Sequence, residues 1–432
     1  MQVNCGMQFT EQFLHYIWQF RLLTQRKICC IDGSRLQIID QGTLNKNAGP
    51  DFSLAKLKIG QTVWLGNIEI HIRSSDWILH GHHLDKSYDT VILHAVYIDD
   101  FAIYRTDGTL IPMLVLKDLL PEKLVHNYLS LLHSRNCFPC APQINKVRQE
   151  DIDNMLGRVL LERFEEKCMA VADKSIQNQN HWNETFYYLL MRNFGFSVNA
   201  VPFEMLANSL SAMLLLKHRD NALQLEALLF GQAGFLDYDF NDQYPRELKA
   251  EYNFLRKKYQ LQPIDVSSWK FLRMRPNNFP VRRIAQLAAL LLHKNHFLAL
   301  VLEEKELQEL RALFKPLAVN KYWESHFHFD KEVQHMELNT GRQSVDSLII
   351  NTVCLVLYSY GKSMDQPQLI DRAVSLLRQI PAEQNAIIRQ YAANGLRIKT
   401  AYDSQSLLHL NKNYCNQKKC LNCIIGNKIL TQ

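Results

Sequence analysis

The hydrophobic pattern of this chain changes period once, and that change limits the folds open to it. Before about residue 120, apolar side chains alternate along short runs. Phe52 to Ile59, Val63 to Ile72 and Thr90 to Ile98 each read as strands, with successive side chains on opposite faces. From Pro121 onward the spacing becomes about 3.6 residues, the period of an amphipathic helix, and stays there. A chain patterned this way must separate a sheet-containing region from a helical one, because each period buries its apolar face differently.

One helix precedes the strands. Glu11 to Leu23 carries Phe13, Leu14, Ile17, Trp18 and Leu22 at helical spacing. Lys27–Ile31 and Arg35–Ile39, split by Asp32-Gly33, read as short strands, and Gly60-Gln61 suits a hairpin. Asp76 to Leu84 reads as a short helix or loop. Phe101–Tyr104 and Leu110–Leu116 are expected to pair around Asp107-Gly108. The predicted class is α+β, with an α/β domain over residues 1–120 built on a central mixed sheet. A large all-α domain over 121–344 follows, then a helical segment with a cysteine-rich basic tail over 345–432. Pro202, Pro245, Pro280 and Pro381 stand at predicted helix starts, where a missing N–H costs little.

Composition sets the class without naming a function. Apolar residues make up 47% and charged residues 21%, as in ordinary globular chains. The net charge of +6 suits a polyanionic partner without requiring one. The apolar run Leu348–Leu357 contains Asn351 and Thr352 and is short for a bilayer span, so no membrane partner is expected. The first residues lack the basic-then-apolar pattern of a signal peptide. The expectation is a cytoplasmic protein whose ten cysteines serve burial or metal binding rather than a disulfide framework.

Groups able to bind cations or move protons concentrate between Asn47 and His94. Asp51 follows a Gly-Pro turn, and Glu69-Ile70-His71 lies on the next strand. Two carboxylates on adjacent strands can share a hard divalent cation such as magnesium or manganese. Such a cation acidifies water and stabilises charge on a phosphoryl oxygen. His71 would orient the water. A second arrangement is His80-Gly81-His82-His83 with Asp85, followed by His94. Imidazoles ligate zinc, manganese or iron, so His80, His82 and His94 form an alternative metal set for a hydrolase.

Three further clusters stand outside this stretch. Arg273, Arg275, Arg282 and Arg283 flank a predicted helix start and suit a phosphate backbone. Cys137-x2-Cys140 lies near the predicted junction, without the βαβ context of a redox pair. Cys415-x4-Cys420-x2-Cys423 lies in the tail with lysines around it. With His409 these thiols would make a zinc site; with a fourth ligand from elsewhere, such as Cys354, an iron–sulfur cluster.

NAGPDF, GNIEIH, SDWILHGHHLDKSYDTVILHAVY, EALLFGQAGFL, WKFLRMRPNNFPVRRIAQLA and YCNQKKCLNCIIG, in this order, resemble the bacterial domain-of-unknown-function family 2851 over nearly the whole chain. That resemblance implies a bacterial origin and no activity. Residues 8–98 separately resemble the PD-(D/E)xK nuclease superfamily. Glu11, Asp51, Glu69 and His71 match its acidic and E-x-K positions, with histidine where lysine is usual. This second resemblance implies a restriction-endonuclease-like fold and metal-dependent phosphodiester cleavage acting on nucleic acid. The competing expectation is an inactive scaffold that binds nucleic acid or protein.

Overall fold

The computed structural model describes residues 9–24, 27–293, 296–315, 319–335, 337–338 and 340–432. The protein is α+β, and it divides into two compact units. One comprises Met1–Met155, Gln390–Leu396 and Leu410–Gln432; the other comprises Leu156–Arg389 and Arg397–His409. The predicted boundaries after residues 120 and 344 do not coincide with these units. The tail rejoins the unit that holds the sheet.

The first unit opens with α1 (Glu11–Gln19), which buries Phe13, Leu14, Ile17 and Trp18. It stops short of the predicted Leu23. Arg21 takes a left-handed backbone, and its side chain donates to the Ile39 carbonyl at 2.9 Å, so a tertiary bond competes with the next helical turn. The strands are β1 (Leu36–Asp40), β2 (Thr43–Leu44), β3 (Phe52–Ile59), β4 (Thr62–Arg73), β5 (Val91–Ile98) and β6 (Met113–Val115). They form one mixed sheet in the order β1-β3-β4-β5-β6, with β2 also on β3. β3 pairs antiparallel with β1 and β4, while β4–β5 and β5–β6 are parallel.

Parallel neighbours need a crossover. Between β4 and β5 it consists of α2 (Asp76–Leu79) and two 3-10 turns, His82–Leu84 and Lys86–Thr90. Asp100 ties down its start by accepting from Ser74 Oγ at 3.0 Å and the Ser75 N–H at 2.9 Å. Trp77 and Tyr88 pin it to the sheet by packing with Val91, Val96, Ile103, Ile111 and Met113. Two predicted strands shrink to single bridges, Cys29↔Arg35 and Tyr104↔Leu110, because the turn residues beside them use up the pairing length.

β4 does not follow the simple in–out pattern. Ile68 and Ile70 are buried, and so are Glu69 and His71. A strand paired on both edges and covered on both faces leaves no solvent side, which corrects the expectation of a half-exposed strand.

The second unit is almost wholly helical. Phe164, Phe203, Phe230, Ile284 and Leu287 are among its core residues. Two predicted helices are each broken: 203–217 becomes Ala200–Ser209 and Ala212–Lys217, and 297–313 becomes Phe297–Glu303 and Leu307–Leu313. At the first break Ser211 Oγ accepts from the Leu214 N–H at 3.2 Å and restarts the helix as its cap. Arg342–Ser363 forms one run long and apolar enough to cross a membrane, longer than the sequence pattern implied. Of its apolar window, 78% is buried inside the protein.

Candidate metal centre

Glu69 and His71 are two residues apart on β4 and share a face of the sheet. His94 on β5 is the register partner of Glu69 and points to the same side. The crossover then brings His80 and His82 over this face. Gly81 makes that possible: its φ of +77° is left-handed, so His80 and His82 turn toward one point on either side of it.

The contacts form one connected set. His71 Nε2 lies 3.2 Å from His80 Nδ1 and 3.4 Å from Glu69 Oε1. His82 Nε2 lies 3.2 Å from the same Glu69 Oε1. Ligand atoms of His71, His80 and His82 all fall within 4.8 Å of one another. A tetrahedral cation with ligands at about 2.1 Å separates them by about 3.4 Å, close to the separations of His71 from His80 and Glu69 and of His82 from Glu69. His71 Nδ1 contacts His94 Nε2 at 2.9 Å. His94 is therefore placed behind His71 as a hydrogen-bond partner that sets its tautomer, not beside His80 and His82 as a ligand. His82 is held by stacking on Tyr88, with ring centroids 3.8 Å apart.

Asp51 joins the set through the backbone. Its N–H donates to Glu69 Oε2 at 3.1 Å, and its Oδ2 accepts from the Ile70 N–H at 2.9 Å. His15 Nε2, on α1, lies 3.1 Å from Asp51 Oδ2. His15 follows Glu11 by four residues and so shares its helical face. That spacing was the available signal for a residue the sequence pattern did not single out. Glu69, His71 and His94 are buried, while His80 is exposed and Asp51, Glu11 and His15 are partly so. The open side of the centre is thus lined by His80, Asp51 and α1.

Burial dominates the electrostatics. It pushes the Glu69 carboxyl up to about 9, helped by charge on Asp51. It pushes His71 down to about 2 and His94 down to about 3, with neighbouring imidazoles adding to the effect. Burial also raises Glu11. Burial alone would lower His15, yet its hydrogen bond and charge pairing with Asp51 raise it overall. Burial thus favours the neutral forms of Glu69, His71 and His94, and neutral imidazoles keep lone pairs that can be donated to a cation. Neutral imidazole nitrogens and one carboxylate oxygen suit zinc or manganese.

The other sequence candidates go elsewhere. Arg273 and Arg275 are exposed in the second unit. Arg282 and Arg283, expected at a phosphate, are buried instead. Arg282 donates to the carbonyls of Trp323, His326 and Glu337, and Arg283 to Asn278 Oδ1 at 2.6 Å and Gln286 Oε1 at 2.9 Å. Arg282 thus satisfies backbone oxygens of an irregular segment and Arg283 side-chain oxygens, which uses their donors inside the second unit. His409 lies in the second unit, 3.9 Å from Glu162 and 3.8 Å from Glu166, and Cys354 is buried in the same unit. Cys415, Cys420 and Cys423 belong to the first unit.

A family model described as "Protein of unknown function (DUF2851)" matches residues 11–386. Neither a curated protein nor a solved structure matches the chain.

Proposed function

The chain belongs to the DUF2851 family, and from that membership, which brings no activity with it, and from the site we propose that the first unit is a divalent-metal-dependent hydrolase of phosphodiester bonds in nucleic acid. One observation carries the reading: His71, His80 and His82 bring ligand atoms within 4.8 Å of one another, Glu69 Oε1 lies 3.4 Å from His71 and 3.2 Å from His82, and Asp51 is bonded to the same strand.

A bound cation would polarise a phosphoryl oxygen and lower the pKa of a water. The chain's own groups divide the remaining work. His71 cannot replace the missing lysine as a fixed charge, because burial keeps it neutral; it serves as a ligand. Burial favours the protonated form of Glu69, so a cation held there would displace that proton. Asp51, partly exposed and paired with His15, is placed to orient the attacking water. The mixed strand order, with an acid before β3 and a second acid on β4, supports phosphodiester chemistry over other hydrolyses.

The test is incubation of labelled single- and double-stranded DNA and RNA with zinc, manganese or magnesium, using native protein, Glu69→Ala and His71→Ala. Cleavage by the native chain alone is expected. Equal cleavage by all three proteins would trace the activity to a contaminant. No cleavage of any polymer would overturn the reading in favour of a binding scaffold.

A further inference from the structure

We propose that Cys140, Cys415, Cys420 and Cys423 hold an iron–sulfur cluster. The inference stands apart from the hydrolase reading and uses different residues.

Two cysteine motifs, widely separated in the chain, meet in the first unit. The first, Cys137-x2-Cys140, lies in the turn after the helix Glu122–Leu132. The second occupies the chain's last turns: Cys415 ends a π-helical turn, Cys420 opens a 3-10 turn, and Cys423 caps the helix Ile424–Leu430. Several contacts fasten the two together. Phe138 stacks on Tyr391 with ring centroids 4.2 Å apart. The Tyr391 hydroxyl donates to Cys415 Sγ at 3.3 Å, and Asn394 Nδ2 donates to Cys137 Sγ at 3.6 Å. Lys418 Nζ donates to the Ser134 carbonyl. Asn127 Nδ2 reaches the carbonyls of Ile429 at 3.2 Å and Leu430 at 3.3 Å.

Tyr391, stacked on Phe138 and bonded to Cys415, brings the turn of Cys140 and the terminal thiols to one largely covered place. Cys140, Cys420 and Cys423 are buried and Cys415 is partly so, while Cys137 is exposed. Burial raises Cys140, and charge on Cys415, Cys423 and Cys420 adds to it, so all four lie within electrostatic reach. Burial likewise pushes Cys415 and Cys420 up to about 12, against the hydrogen bond from Tyr391 and the charge of Lys418 respectively. Three buried thiols and one partly buried, brought together, gain nothing by packing that methyl groups would not supply; metal ligation is the use that needs sulfur. Gly426 keeps the last helix against them, since a Cβ there would come within 2.2 Å of the Cys420 carbonyl.

Spacing chooses the metal. A single zinc with Zn–S bonds of about 2.3 Å brings its sulfurs about 3.8 Å from one another. No three of these thiols lie within 4.8 Å of one another, a condition that His71, His80 and His82 do meet. Thiols gathered less closely than a single zinc requires suit a core in which several irons and sulfides stand between the ligands. The hydrogen bond from Tyr391 to Cys415 is of the type that tunes such a cluster's potential.

The full chain, purified without oxygen, should contain iron and acid-labile sulfide in equal amounts. It should also show visible charge-transfer absorption that dithionite bleaches. Cys140→Ser and Cys420→Ser should lose that absorption; Cys137→Ser and Cys168→Ser should keep it. Zinc in place of iron, or no cluster after reconstitution of the native chain with ferrous iron and sulfide, would overturn the proposal. So would a cluster that survives in Cys140→Ser and Cys420→Ser. Metal analysis of the native chain decides the matter even if a variant does not fold.

Discussion

Replacing His94 separates a ligand from a group that merely orients one. His94 is fully buried, and its Nε2 lies 2.9 Å from His71 Nδ1. His94→Leu leaves His71 Nδ1 buried without a partner, at a cost of about 1–3 kcal/mol. Because ligation by His71 Nε2 requires the ring to present the correct tautomer, much of that cost should appear in metal affinity. Loss of such an outer hydrogen bond weakens metal binding by about 10–100-fold, which corresponds to about 1.4–2.7 kcal/mol. His94→Gln keeps a polar atom near the same place and should recover most of the difference. His71→Ala removes a ligand outright and should weaken binding further than His94→Leu. The assay is competition for zinc or manganese against a chromophoric chelator, with circular dichroism to confirm folding. Native affinity in His94→Leu would refute the orienting role. A loss in His94→Leu equal to that in His71→Ala would show that His94 itself binds the metal.

Gly81→Ala places a side chain at a φ of +77° with no steric obstacle nearby, so it should cost about 1 kcal/mol in stability and a measurable share of metal affinity, read by denaturant melts and the same chelator competition. Without metal, stability should peak near pH 6.5. As pH falls from 9, Glu69 recovers the proton its folded environment prefers, and stability rises by about 1.4 kcal/mol per unit. Below 6.5 the unfolded chain protonates His71 and His94 while the folded chain does not, so two losses outweigh one gain and stability falls by about 1.4 kcal/mol per unit. Urea melts across this range that keep rising in stability toward pH 4.5 would contradict the assignment. Asp51→Asn removes the partner that raises His15, so the His15 titration followed by NMR should move to lower pH; an unchanged midpoint would break that pairing.

Much of the first unit was legible because local pattern and fold agree there. The alternation over Phe52–Ile59 and Val63–Ile72, with Gly60-Gln61 between, becomes β3, β4 and their hairpin. Clustering of Asp51, Glu69, His71, His80 and His82 in one stretch was visible as well, since strand and crossover neighbours in sequence stay neighbours in space. Burial of Glu69 and His71 was not visible. Alternation suggested a solvated face for Glu69 and His71, and only a central strand covered on both sides turns them into groups that resist charge.

What the sequence by itself determined was the order of periods, the hairpin and the supply of metal-binding side chains, because these depend on residues a few positions apart. Tertiary structure alone decided which histidines converge and which one stands behind them, since that depends on the register of β4 against β5 and on the crossover. It also brought Cys140 to the terminal thiols and sent His409 to Glu162 and Glu166 instead. Spacing along the chain carries no information about such pairings, because the turns and helices between them set the distance in space.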